Sequence, residues 1–429
     1  MTTVLPVKGL RFSTTAGLDF PLIITPPYDV ISIERQEEYY KKSHYNVIRL
    51  EYPKSLPGDD HNTNKYTRAA EIFREWIEKK ILIEEDEPAF YLYEQHFHYH
   101  GKKYLRKGIF CGVGLSPFTE GNVIPHEETL TKPKADRLEL LRHCETNFSP
   151  IFGLFKDKEM FVDSFTEQYK KDQEPIMNFE DEEGQHHLLW AVSDKTFVEK
   201  IQSFFANKKV YIADGHHRYE TALQFYAEKK EKDEHPERYG HTLMGLVNIY
   251  DEGLLAFPTH RIVAHSKIQS KDLLHSLEEQ FQLEEHSEPK NEEELQTLLG
   301  KSLTGADEKN LSLGLYTPEK KLFILTVKDM EEQPSPWLDI VLLQDLILSN
   351  IFKIEDAERK DESHLIYLRD EWEAKLQVDE GKARYVFFVN EPPFETIARL
   401  AEDGIRMPQK STYFFPKFLT GLVMLRLGT

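Results

Sequence analysis

Cysteine is nearly missing from this 429-residue chain, with Cys111 and Cys144 its only two. That excludes a disulfide framework, and their spacing lacks the pairs of a structural zinc site. Basic charge is also short: 54 Lys and Arg stand against 74 Asp and Glu, a formal net charge of −20. So acidic a surface repels nucleic-acid phosphates and disfavours sequence-general nucleic-acid binding. Long apolar runs are missing too. None approaches the roughly 20 residues that cross a bilayer, and the opening MTTVLPVKGLRF has no signal-like stretch. The expectation is a soluble cytoplasmic protein with neither a membrane nor a nucleic-acid partner.

What is present is ample apolar surface, 40% hydrophobic and 12% aromatic residues, in a chain long enough for two or three domains. Ala69, Ile72, Phe73, Trp76 and Ile77 recur at helical spacing. AFYLYEQHFHYH and YLRKGIFCGVGL, joined by GKK, read as a hairpin. From about 121 to 263 strands and helices alternate: a helix around Arg137 to His143, the runs SPIFGLF and HLLWAVS, a helix through Phe204, then KKVYIA. EKKEKDEHPER reads as a solvated loop or helix end. Leu273 to Phe281 reads as a helix, EEHSEPKNEEEL as a charged linker, LSLGLY and KLFILTVK as a hairpin, and Trp337 to Phe352 as a buried helix. RYVFFVN and a helix from Phe394 to Asp403, stopped by Gly404, complete a final α/β unit. The fold class is α/β with α+β mixing. Three regions are expected: 1–115 with the hairpin, a core over 116–268, and a C-terminal α/β region over 269–429.

Chemistry concentrates at YIADGHHR, Tyr211 to Arg218, where a strand meets a helix. Gly215 permits a tight turn, Asp214 is placed to cap the helix, and first-turn amides offer a positive end to an anion. His216, His217 and Arg218 add donors there. A plain capped helix with polar first-turn residues would look similar. Zinc suits the pattern less, because adjacent histidines do not share one coordination sphere and an i, i+4 pair is absent. Upstream, VIPHEETLTKPKADRLELLR gathers His126, Glu127 and Glu128 ahead of Lys132, Lys134 and Arg137. A carboxylate there can take a proton from an alcohol or hold Mg2+, and the cations can neutralise phosphate charge. The bland counterpart is a polar loop and a helix capped by Asp136.

Three smaller constellations stand out. PPYDVIS places Tyr28 and Asp29 on a rigid turn, as site residues or simply as a turn and helix cap. MPQKSTYFFPK gathers Lys410, Ser411 and Thr412, residue types that contact phosphate, without the glycine-rich loop of a P-loop. His96, His98 and His100 recur at spacing two, either a metal row or the wet face of a hairpin. THRIV, Thr259 to Val263, carries no distinct chemistry of its own.

In order, HEE, DRLELL, SPIF and YIADGHHRYETAL resemble the ParB/sulfiredoxin-like superfamily, especially its free serine kinases. The whole chain resembles the domain-of-unknown-function family numbered 1015, through PPYDVIS, that loop, ADGHHRYETAL and MPQKSTYFFPK. The resemblance implies a ParB/sulfiredoxin-like nucleotide-binding core with added N- and C-terminal α/β regions, using ATP or ADP with Mg2+ to phosphorylate the hydroxyl of free L-serine. It implies Glu127 and Asp214 as catalytic residues. Gly215, His216, His217 and Arg218, with His126, Lys134 and Arg137, would hold the nucleotide. The expected site joins the two segments. The chain departs from the compact kinases by an insertion over about 156–209 and by large flanks. Two other readings stay open: a regulator switched by CTP or ATP, and a kinase of another small hydroxyl compound.

Overall fold

The computed structural model describes residues 1–127, 131–171, 173–303, 311–328, 338–354, 364–390, 393–408 and 411–428, without the side chains of 131–133. Contacts divide it into two units, residues 1–125, 129–255 and 416–429 in the first and 126–128 with 256–415 in the second. This differs from the three regions expected. The reason is pairing: the hairpin of the first expected region lies in the same sheet as the strands of the second.

The organising element of the first unit is the hairpin Phe90–Tyr99 and Lys102–Gly114, registered from Tyr91↔Phe110 to Tyr99↔Lys102. Its turn residues His100 and Gly101 both have positive φ, 47° and 73°, the backbone that a two-residue hairpin turn needs. The sheet runs Val123–Pro125, Val210–Asp214, Ile151–Phe155, His241–Asn248, Lys102–Gly114, Phe90–Tyr99, His186–Val192, Met177–Glu180, with Val4–Leu5 also on Lys102–Gly114. The two end strands after Phe90–Tyr99 come from the insertion over 156–209.

Period-two alternation gives the sheet two buried faces. Phe90, Leu92, Ile109, Cys111, Ile212 and Met244 join Phe165, Phe197, Ile201 and Phe205, from the helices Phe161–Lys170 and Lys195–Phe205, in one core. The other face carries Arg106 and Phe110, against which the ring of Phe418 packs, 5.0 Å from Phe110 and 4.6 Å from Phe152. A second, four-stranded sheet orders Leu82–Glu84, Gly9–Phe12, Met424–Arg426 and Thr146–Asn147.

The second unit is built on an antiparallel six-stranded sheet: Phe281–His286, Leu322–Val327, Ser312–Tyr316, Tyr385–Phe388, His260–Val263, Leu365–Leu368. Helices Glu292–Leu303 and Glu371–Asp379 bury Leu295, Leu299, Ala374 and Val378 against it. The hairpin read from LSLGLY and KLFILTVK is present. Four readings change. Phe281 opens a strand instead of ending a helix, which closes at Leu277, and the charged run after it supplies the helix from Glu292. The apolar helix begins at Asp339 and continues as a π-helix over Leu343–Ser349, with Trp337 outside the described residues. The helix before SPIF starts at Thr131, so Asp136 lies inside it and caps nothing.

Candidate functional site

The strand Val210–Asp214 and the helix His216–Lys232 meet at Gly215, as the motif implies. The register against Ile151–Phe155 shifts between Ile212 and Asp214, a local irregularity of the kind that re-aims a side chain. Gly215 then sits at φ 93°, a backbone that L side chains avoid. It serves as the N-cap, a residue with no side chain to offer the first-turn amides. Asp214 therefore does not cap as expected; its carboxylate is held elsewhere. Oδ1 accepts from Lys417 Nζ at 2.9 Å, and Oδ2 accepts from Arg218 Nη2 at 2.8 Å. Burial pushes the Asp214 carboxyl up, but the ammonium of Lys417 and the guanidinium of Arg218 outweigh it and hold the group well below the usual carboxylate range.

Arg218 also clasps the chain. Its Nη1 donates to Ser149 Oγ at 3.1 Å and to the Pro150 carbonyl at 2.7 Å, fixing the entry to the SPIF strand. Asp29 Oδ2 stands 3.8 Å from Arg218 Nη2. Burial and the nearby Asp214 raise the Asp29 carboxyl, although a side chain still 35% open to water is partly screened. Tyr28 begins a short 3-10 turn after Pro27, and Ser32 caps the next helix by accepting from Arg35 N at 3.2 Å. PPYDVIS is thus a turn and a cap, and it lays Tyr28 and Asp29 beside the helix start.

Arg137 is buried beneath this cluster, its guanidinium 4.0 Å from the centre of the Tyr28 ring. It donates to the Glu51 carbonyl at 2.6 Å and pairs with Asp136. Glu51, itself buried, accepts from Ser149 Oγ at 2.8 Å. A cavity of about 40 Å3, open to the surface, is lined by Glu51, Arg137, Ser149, Arg218, Thr221 and Thr242. Lys134 forms an ion pair with Glu220, one turn into the helix His216–Lys232. His216 is buried and His217 half-buried on the first turn.

His126 and Glu127 belong to the second unit. The His126 carbonyl accepts from Met407 N at 2.8 Å, and Glu127 bridges Met407 in parallel. Glu127 Oε1 accepts from the backbone N–H of Ser411 at 3.2 Å and lies 3.6 Å from His126 Nε2. The Ser411 hydroxyl donates to the Pro408 carbonyl at 2.5 Å, and Thr412 opens the strand Thr412–Phe415. The charge of Glu127 also reaches Arg261, a buried guanidinium over the Tyr367 ring in the THRIV strand. Glu128 and Lys410 lie outside the described residues. So the structure gathers Tyr28, Asp29, Arg137, Asp214 and Arg218 in one unit, and His126, Glu127 and Ser411 in the other.

Three residues of the first cluster had no signal of their own: Glu51, Ser149 and Lys417. Lys417 ends the MPQKSTYFFPK run, but its contact with Asp214 spans 203 positions and leaves no periodicity to read. Among the described residues no group of three or more His, Cys, Asp or Glu is placed to hold a metal, and none of their helices is long and apolar enough to cross a membrane. His100 falls in the hairpin turn, off the strand that carries His96 and His98.

A mixed α/β protein with an ionic cluster at a strand-to-helix turn is the class these features define. The chain belongs to the family described as Protein of unknown function (DUF1015), whose model matches residues 4–346, a span that stops short of Met407 to Lys417. No curated protein matches it. Solved structures similar to it include a conserved hypothetical protein from Pyrococcus furiosus, 14% identical, covering 72% of this chain and 92% of that one at a TM-score of 0.36. A free serine kinase in complex with AMP is 14% identical, with 75% and 91% covered and a TM-score of 0.37. SbnI with C-terminal truncation from Staphylococcus aureus is 9% identical, with 72% and 85% covered and a TM-score of 0.35. Likeness at this level fixes no function.

Proposed function

We propose that this chain is a nucleotide-dependent kinase that transfers a phosphoryl group to the hydroxyl of free L-serine, giving O-phospho-L-serine, on a ParB/sulfiredoxin-like core. One observation carries the reading: the helix His216–Lys232 starts at a left-handed glycine, which has no side chain of its own to cap it, beside an aspartate flanked by a lysine and an arginine. A helix start is a positive end, and phosphates are the anions it suits best. The motif resemblance supplies the rest.

In this reading first-turn amides, His216 and His217 take the phosphates of ATP or ADP, and Arg218 keeps the turn in shape. Glu127, steadied by the Ser411 amide, removes the proton from the serine hydroxyl as it attacks. Mg2+ prefers phosphate oxygens plus one or two carboxylates. Asp29 fits that need better than Asp214, since it is the more open and both Asp214 oxygens already hold cations. Bound there, the ion would neutralise charge on the phosphates.

The test is to incubate the full chain with labelled ATP or ADP, Mg2+ and single amino acids, and to follow label into product. Phosphoserine formation supports the proposal. Transfer only to another hydroxyl compound would move the substrate, and binding or slow hydrolysis without transfer would replace the kinase by a nucleotide-switched regulator.

A further inference from the structure

Two cations hold Asp214, and they are not equivalent. Arg218 has its donors spread over Ser149, Pro150 and Asp214, with its Nε so close over Gly215 that a Cβ there would lie 2.9 Å away. Turning that guanidinium toward a ligand would strip a backbone carbonyl and a hydroxyl of their partners. Lys417 carries its ammonium on a flexible four-carbon stem, and its three rotatable donors can be shared between Asp214 and an incoming oxygen.

The segment around Lys417 is fastened on both sides. Before it, the Pro416 carbonyl accepts from Arg106, a wholly buried arginine that also donates to Gln95 and lies 4.9 Å and 4.5 Å from the ring centres of Phe152 and Phe418. Both of these hydrogen-bond acceptors are neutral, and burial lowers the guanidinium pKa to about 10. After it, the Phe418 ring lies on the sheet where Gly245 leaves room; a Cβ on Gly245 would come within 2.5 Å of that ring. The strap fixes the backbone of residue 417 and leaves the side chain as its adjustable part.

We infer that Lys417 is a phosphate-contacting residue of this site: Asp214 holds its ammonium between ligands, and polyphosphate oxygens share it when a nucleotide binds. This rests on the nucleotide-binding half of the proposed function and is independent of serine as acceptor. Arg106 and Phe418 are then positioning residues that act through the strap.

Calorimetric titration of the full chain with inorganic tripolyphosphate, ADP and adenosine tests it. Lys417→Met should weaken tripolyphosphate and ADP by about 10- to 100-fold, the loss expected for one charge-assisted hydrogen bond, and leave adenosine unchanged. Lys417→Arg should recover most of the loss. Parent-like tripolyphosphate affinity in Lys417→Met, or a parent that binds neither tripolyphosphate nor ADP, overturns the inference. Should Lys417→Met not fold, 13Cε-lysine NMR on the unaltered protein decides. There the Lys417 resonance, assigned by its absence in Lys417→Arg, shifts with tripolyphosphate and not with adenosine, and an unmoved resonance overturns the inference. A chain that makes no phosphoserine yet loses tripolyphosphate in Lys417→Met sinks the serine assignment and upholds the role of Lys417.

Discussion

At Gly215 one hydrogen atom in place of a side chain meets two demands. The backbone stands at φ 93°, and Arg218 folds back across the same atom to reach Pro150. Alanine would meet both the left-handed strain and the guanidinium. Gly215→Ala should therefore cost about 1–3 kcal/mol, read as a lower urea midpoint at unchanged slope, and should loosen the Ser149–Pro150 clasp. Parent-like stability would mean that the turn relaxes freely. The motif was legible in sequence because glycine, aspartate and the change from strand to helix pattern are local signals. The division of labour inside it was not. Arginine types suggest phosphate, yet the fork of Arg218 is engaged by Ser149, Pro150 and Asp214, and the guanidinium of Arg137 by Glu51 and Asp136. Only geometry shows that.

Elements were legible where the apolar period was clean. The hairpin Phe90–Gly114, the SPIF strand and the strand-to-helix turn follow from alternation and its break. The helix start at Thr131 was hidden because Pro133 and a polar run blur the period, although proline is tolerated in a first turn. Two predictions belong to this scale. Gly245→Ala would drive a Cβ into Phe418 and Phe110, at 2.5 Å and 2.6 Å, and should cost about 1–3 kcal/mol in thermal or urea unfolding. A neutral outcome would show that the strap is not seated tightly. In the second unit, burial raises the Asp339 carboxyl to about 6 even though the backbone N–H groups of Asn390 and Ile340 pull the other way. An unfolded aspartate titrates near 4, so between about pH 4 and 6 the folded chain holds the extra proton. The Asp339 contribution favours folding below that window and declines as pH rises through it. Asp339→Asn, which cannot ionise and keeps one acceptor for the two amides, carries a pH-independent loss but should gain thermal stability relative to the parent on going from pH 4.5 to pH 7. A difference independent of pH would mean that Asp339 is not a raised group.

Across the whole molecule, the division into two units was the least legible feature, because the second unit takes residues 126–128 out of the middle of the first. Such an excursion has no compositional mark: Pro125, His126 and Glu127 are consecutive, and the first closes a strand of one sheet while the third is bound to Ser411 of the other unit. Placing the proposed general base, Glu127, on that excursion gives the account its sharpest consequence. Removing its charge should stop transfer and spare the grip on phosphate proposed for the helix start and Lys417. The measurement is phosphoserine production from ADP or ATP, Mg2+ and L-serine by the parent and by Glu127→Gln, with nucleotide affinity measured on the same samples. The account predicts phosphoserine from the parent, a loss of at least about 100-fold in the variant as expected for removal of a general base, and nucleotide affinity within about twofold of the parent. Transfer by Glu127→Gln at the parent rate, or no transfer by the parent to serine, would contradict it.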